Sequence, residues 1–124
     1  MKVDYGHHNL ATALKLKTRQ GSLAEYLRVP ASHVVPRPAH VTPTQAAGFS
    51  YAGLTAYQAL FNIGQLEPGQ SLFINGGSTT VGLYAMQMAK AIGCTVTVSA
   101  SGKREDLLRS MGVDHVRKPI TVKP

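Results

Sequence analysis

The run Asn75-Gly76-Gly77-Ser78-Thr79-Thr80-Val81-Gly82 concentrates residues whose types and spacing could do chemistry. A glycine-rich turn between a strand and a helix exposes unpaired backbone N–H groups at the positive end of the helix macrodipole, and such a place attracts phosphate. The dinucleotide fingerprint asks for Gly-x-Gly-x-x-Gly: one glycine for the turn, one for close approach to a pyrophosphate, one for helix packing. Gly77 and Gly82 match the outer positions, and Thr79 stands where the central glycine belongs. The spacing also fits a tight strand-to-helix turn in any α/β protein, but a strand before it and a helix after it favour the phosphate reading. The hydroxyls of Ser78, Thr79 and Thr80 add donors in place of the lost close approach.

About 20 residues beyond such a turn, an NAD site carries Asp or Glu on the ribose hydroxyls. Counting from Gly77 reaches Thr97, and the chain then reads Ser99-Ala100-Ser101-Gly102-Lys103-Arg104 with no acid before Glu105. A carboxylate there would repel a 2′-phosphate, whereas Ser101, Lys103 and Arg104 bind one through charge-assisted hydrogen bonds. NADP(H) is therefore favoured over NAD(H). The competing reading makes Lys103 and Arg104 solvated bases ahead of a helix, where positive charge opposes the dipole.

These residues need elements to hold them. Residues 71–75 are apolar on both faces, as in a strand covered by helices on both sides. Val81, Tyr84, Ala85, Met88, Ala89 and Ile92 recur at helical spacing before a capping Gly93. A second strand over 95–99, a helix from about 105 to 111 with its capping Gly112, and the start of a third strand at His115-Val116-Arg117, cut short by Pro119, follow. Strand, turn, helix, strand predicts a right-handed βαβ unit and a parallel sheet. Upstream, Thr42-Pro43-Thr44-Gln45 has the form of a helix start with a capping box. Gly48 loosens that helix, and a second one over 54–63 has Leu54, Tyr57, Ala59, Leu60 and Ile63 as its apolar stripe before Gly64. Glu67-Pro68-Gly69-Gln70 is a turn. Residues 22–29 alternate as a strand with Leu23, Leu27 and Val29 on one side, and Pro30, Pro36 and Pro38 make an extended connector. Residues 1–20 show weak periodicity and no evident partner elements, so they are an arm.

Composition narrows the classes. The 124 residues are 44% hydrophobic without tryptophan, and lack both a signal peptide and the run of roughly 18 apolar residues a membrane span needs. A single cysteine, Cys94, excludes an internal disulfide framework and a multi-cysteine zinc site, which makes a reducing cytoplasm the default compartment. Thirteen Lys and Arg against six Asp and Glu give +7, yet no Lys or Arg lies between Arg37 and Lys90 and no basic helix gathers the rest. That scatter argues against nucleic acid as a partner.

Residues 21–118 resemble the medium-chain dehydrogenase/reductase superfamily, specifically its zinc-independent quinone oxidoreductase and enoyl reductase branch. Gly21-Ser22-Leu23-Ala24-Glu25-Tyr26 with Val29-Pro30-Ala31 is similar to the end of its GroES-like catalytic domain. Ala52-Gly53-Leu54-Thr55-Ala56-Tyr57-Gln58-Ala59-Leu60 resembles the helix leading toward the cofactor domain, and Leu66-Glu67-Pro68-Gly69-Gln70 the turn before its first strand. The run from Asn75 to Gly82 is similar to a Gly-Gly-Ser-Thr variant of fungal members and polyketide enoyl reductases. The implied fold is α/β: a partial Rossmann domain with a parallel βαβ unit, preceded by the C-terminal edge of a GroES-like β-domain and truncated at both ends. Residues 1–20 stay unassigned, 21–65 end the GroES-like domain and link onward, and 66–124 form the first half of the NAD(P)-binding domain.

The resemblance implies hydride transfer from NADPH to a quinone or an α,β-unsaturated carbonyl in a cleft between two domains. It places the glycine turn, above all Ser78, Thr79, Thr80 and Val81, on the pyrophosphate and Ser101, Gly102, Lys103 and Arg104 on the 2′-phosphate. Thr55 would face the nicotinamide and Tyr51 the substrate, with ordinary helix packing as the alternative for both. No catalytic residue is assigned. No metal is implied either: the zinc-ligand segments are missing, Cys94 has the setting of a small buried residue entering a strand, and adjacent His7 and His8 cannot both reach a rigid tetrahedral site. Because segments on both sides are absent, the chain as written is expected to have little reductase activity. The competing reading is a non-catalytic nucleotide-binding or interaction fragment whose half-built sheet a partner or a second copy completes as a homodimer.

Overall fold

The computed structural model describes residues 2–4, 10–12 and 25–118. The chain divides into two compact units, Met1–Tyr51 and Ala52–Pro124. Its elements begin with four strands of three residues each, β1 (Lys2–Asp4), β2 (Leu10–Thr12), β3 (Tyr26–Arg28) and β4 (Val34–Pro36). Strand β1 pairs antiparallel with β3, Lys2 opposite Arg28, and β2 pairs antiparallel with β4, Leu10 opposite Pro36. The arm without evident partners therefore does supply strands. Three residues hold too few alternations to register as a period, and the pairing comes from partners more than twenty residues away in the chain. The strand expected over 22–29 is described only from Glu25, with Tyr26–Arg28 paired and Val29 buried; Leu23, His7, His8 and Pro119 lie outside the described residues. The proline connector holds a 3₁₀ turn, Ala31–His33, and the strand β4.

Helix α1 (Pro43–Gly48) starts as the sequence predicts. The Gln45 N–H donates to Thr42 Oγ1 at 3.3 Å and the Thr42 N–H to Gln45 Oε1 at 2.9 Å, so two otherwise orphaned donors are satisfied reciprocally. Gly48 does not break the helical path. A π-helical segment, Phe49–Gly53, follows, then α2 (Leu54–Tyr57) and a second π-helical segment, Gln58–Ile63. The buried face here is Ala52, Ala56 and Leu60, whereas Leu54, Tyr57 and Ala59 are exposed and Ile63 is 81% exposed. This corrects the expected stripe. Ala56 and Leu60 pack on Ala85, and a small residue lets two helices approach where a bulky one would hold them apart.

The second unit carries a three-stranded parallel sheet in the order β5 (Ser71–Asn75), β6 (Thr95–Ser99), β7 (His115–Arg117). Between the strands run α3 (Thr80–Ala91) and α4 (Glu105–Ser110). Met86 and Ala89 of α3 and Leu108 of α4 form the core with Val96 and Val98, backed by Leu72, Ile74 and Val116. Met86, which the predicted stripe omits, is among the most buried side chains. Strand β5 departs from expectation, since Phe73 on its other face is 56% exposed and Ser71 and Asn75 are exposed beside it. Among the described residues, helices cover one face of this sheet, which is what the alternation Thr-Val-Thr-Val-Ser in β6 calls for. The chain entering β7 is tied to β6 by Asp114, whose carboxylate accepts the Val96 N–H at 2.6 Å and the Lys90 ammonium at 2.9 Å. No helix among the described residues is long and apolar enough to cross a membrane.

Candidate functional site

Parallel strands deliver their C-terminal ends to one edge of a sheet, and Asn75 of β5 lies in register with Ser99 of β6. Two turns therefore leave side by side: the glycine turn toward α3, and residues 100–104 toward α4. The glycine turn is tight for reasons that can be located atom by atom. Gly76 has φ +80, a conformation costly for a residue with a side chain. A β-carbon at Gly77 would stand 2.5 Å from the Val98 Cβ, and one at Gly82 would land on the Gly76 carbonyl oxygen. The first and third fingerprint glycines are thus required by contact with β6 and by the packing of α3 on its own turn.

Thr79, in place of the central glycine, is the N-cap of α3. Its hydroxyl accepts the Gly82 N–H at 3.1 Å and donates to the Gly76 carbonyl at 2.8 Å. Donor and acceptor are thus both engaged inside the turn, and capping is the use to which a Thr at this position is put. The Gly76 and Gly77 N–H groups are engaged as well, donating to the Ser99 hydroxyl at 3.0 Å and the Ser99 carbonyl at 2.9 Å. That leaves the N–H groups of Ser78, in the turn, and of Thr80 and Val81, the first helical residues, without an acceptor among the described residues. An anion at this helix end would meet those donors and the hydroxyls of Ser78 and Thr80.

Beyond β6, Ser101 precedes a 3₁₀ turn, Gly102–Arg104, closed by the Arg104 N–H on the Ser101 carbonyl at 3.0 Å. Lys103 and Arg104 are exposed and make no ion pair among the described residues. The nearest acid in sequence, Glu105, is turned to Arg109, with Nη2 and Nε at 2.7 and 2.9 Å from one carboxylate oxygen. Two positive charges without an ion-pair partner among the described residues therefore stand on the turn that leaves beside the glycine turn. The donor set fits a doubly phosphorylated ligand: free N–H groups at one turn, free cations and a hydroxyl at the next.

The remaining expected site residues lie elsewhere in the chain. Tyr51 is in the first unit and 73% exposed by relative surface; Thr55 is in the second unit and also exposed. Cys94 is buried, its thiol directed to the Glu67 carbonyl at 3.3 Å. Among the described residues no three of His, Cys, Asp and Glu gather as metal ligands do. Sequence reasoning passed over Ser99 and Asn75. The signal was there in principle, since each is the polar residue that closes an apolar strand run at the sheet edge where ligands bind.

No family model matches the chain. It is 40% identical over 102 residues to the NAD(P)H oxidoreductase RTN4IP1, mitochondrial, of Danio rerio, covering 79% of this chain and 26% of that protein. It is 40% identical over 96 residues to the trans-enoyl reductase pgmF of Aspergillus terreus, covering 77% and 27%. The quinone oxidoreductase of Thermus thermophilus, solved also in complex with NADPH, superposes with a TM-score of 0.71 at 30% identity, over 79% of this chain and 33% of that one. The chain thus spans between 26% and 33% of the length of these relatives. Fold and sequence agree, and the chain belongs to the medium-chain dehydrogenase/reductase superfamily, with enoyl reductases and quinone oxidoreductases as its relatives.

Proposed function

We propose that the second unit holds the phosphates of NADPH, and that the chain serves a reductase acting on a quinone or an α,β-unsaturated carbonyl. One observation carries this reading: at the ends of β5 and β6, a turn that admits no side chain at Gly77 or Gly82 stands beside a second turn whose two cations make no ion pair among the described residues. The names of the relatives, an NAD(P)H oxidoreductase, a trans-enoyl reductase and an NADPH-complexed quinone oxidoreductase, point the same way.

When bound, the nicotinamide supplies the hydride. The chain's own residues bind and orient: Thr80 and Val81 donate N–H groups to the pyrophosphate with help from Ser78, while Ser101, Lys103 and Arg104 take the 2′-phosphate. Gly76, Gly77, Thr79 and Gly82 shape the turn, and Gly102 gives the second turn its small residue. We assign Tyr51 and Thr55 to the substrate and nicotinamide side. Taken alone, the 124-residue chain binds NADPH and turns over little, because the described sheet has three strands and one covered face. NADPH oxidation with a quinone at the rate of a full-length relative would refute that.

Fluorescence titration of the whole chain tests the phosphate assignment. Removing Lys103 and Arg104 together by alanine substitution is expected to weaken NADPH binding about 10- to 100-fold, the worth of one or two hydrogen bonds to charged groups, and NADH binding little. Equal losses would overturn the 2′-phosphate role. A second reading rests on β5, whose outer edge is unpaired within the described sheet and whose open face carries the exposed Phe73. On it, a second copy pairs at that edge and the chain acts as an interaction fragment. A strictly monomeric mass in light scattering across concentrations would sink it.

A further inference from the structure

Ser99 lies at the end of β6, is 4% exposed, and makes three hydrogen bonds to the end of β5. Its hydroxyl donates to Asn75 Oδ1 at 2.6 Å and accepts the Gly76 N–H at 3.0 Å, while its carbonyl accepts the Gly77 N–H at 2.9 Å. The hydroxyl proton is thereby assigned to Asn75, and the lone pair to Gly76. These bonds do more than join two strands already paired in register. They engage the first two N–H groups of the glycine turn, at the residue where φ becomes +80, and so leave as free donors those further along, at Ser78, Thr80 and Val81.

We propose that Ser99 and Asn75 are a positioning pair for the phosphate turn: Asn75 orients the Ser99 hydroxyl, and the hydroxyl holds the Gly76 amide so that the helix-end donors point to the ligand. Neither residue need touch the cofactor. The inference rests on the NADPH reading above, and it goes beyond it by assigning the geometry of the turn to a side chain on the neighbouring strand. A consequence distinguishes it from a merely stabilising role. A ligand gripped at both turns must feel the loss of Ser99, whereas a ligand reaching only the 101–104 turn must not.

The test uses the full chain with NADPH and with adenosine 2′-monophosphate, a probe that carries the 2′-phosphate and no pyrophosphate. Ser99→Ala is expected to weaken NADPH about tenfold and to leave adenosine 2′-monophosphate within about twofold, the loss of one neutral hydrogen bond at one of two subsites. Ser99→Thr, which keeps the hydroxyl, restores NADPH affinity. Asn75→Ala, at an exposed position where folding is not at stake, reproduces the same selective loss in smaller measure, and adding it to Ser99→Ala causes little further loss because the two act through one bond. Equal weakening of both ligands, or unchanged NADPH affinity in Asn75→Ala and Ser99→Ala, overturns the positioning role. If the unmodified chain binds neither ligand, the NADPH reading itself fails, which is a separate result.

Discussion

The two units are built on opposite plans. The first is stitched from three-residue strands in antiparallel pairs, and Val29 and Ala46 are its buried apolar residues among those described. The second has a parallel sheet with two strands of five residues and one of three, and a core with Met86, Leu108, Val96, Val98 and Cys94 fully enclosed. The difference teaches where a ligand site can be held. A turn positioned to a few tenths of an ångström needs walls that do not yield, and a close-packed core supplies them. The Gly77–Val98 contact is such a wall.

The sharpest way to break this contrast is truncation in each unit. Leu108→Ala, at a fully buried site, is expected to cost about 2–5 kcal/mol, and Val35→Ala on exposed β4 no more than about 0.5 kcal/mol. With no tryptophan in the chain, urea melts followed by far-ultraviolet circular dichroism are the readout. Similar costs at both sites would mean that the units do not differ as described. Next in size, Gly77→Ala and Gly82→Ala should each cost about 1–3 kcal/mol by overpacking and abolish NADPH binding. For the stability cost alone Gly102→Ala is the control, since a Cβ there meets nothing within 4 Å.

The N-caps sharpen the comparison because the same chemistry occurs in both units. Thr42→Ala and Thr79→Ala should each cost about 0.5–2 kcal/mol, but only Thr79→Ala should weaken NADPH binding, since only that cap belongs to the phosphate turn. Loss of binding in Thr42→Ala would contradict the assignment of the site to the second unit. The smallest effect concerns acid. The Val96 N–H, and after it the Lys90 ammonium, hold the Asp114 carboxyl below its ordinary value. A depressed carboxylate contributes stability above its unfolded pKa and loses it as pH falls through the folded one, so the contribution fades below about pH 4. Thermal melts from pH 7 to pH 3 should show a shallower acid decline in Asp114→Asn; an unchanged slope would remove Asp114 from the account.

Much of the second unit was legible in advance. The turn at Pro68-Gly69, the glycine turn, the helix after it and the parallel strands at 71–75 and 95–99 all follow from short-range signals, and each is present. So does the capping box of α1, in which Thr42 and Gln45 are three residues apart. The first unit was less legible, since β1 and β2 owe their pairing to β3 and β4 rather than to any pattern of their own. In the site, glycine spacing revealed the turn but not the cap that the Thr79 hydroxyl makes within it, because spacing says which residues are near one another and not where each proton goes.

Residue order alone determined the local choices: where helices start and where the chain turns. Those depend on sterics and hydrogen bonds within a few residues. Tertiary structure decided that Ala52, Ala56 and Leu60 face inward while Ile63 does not, that Phe73 stands on an open sheet face, and that Ser99 holds Gly76. Gly76 and Ser99 are 23 residues apart, and the bond between them exists only because two parallel strands end in register. A contact of that kind is set by what packs across from a residue, which no local pattern records.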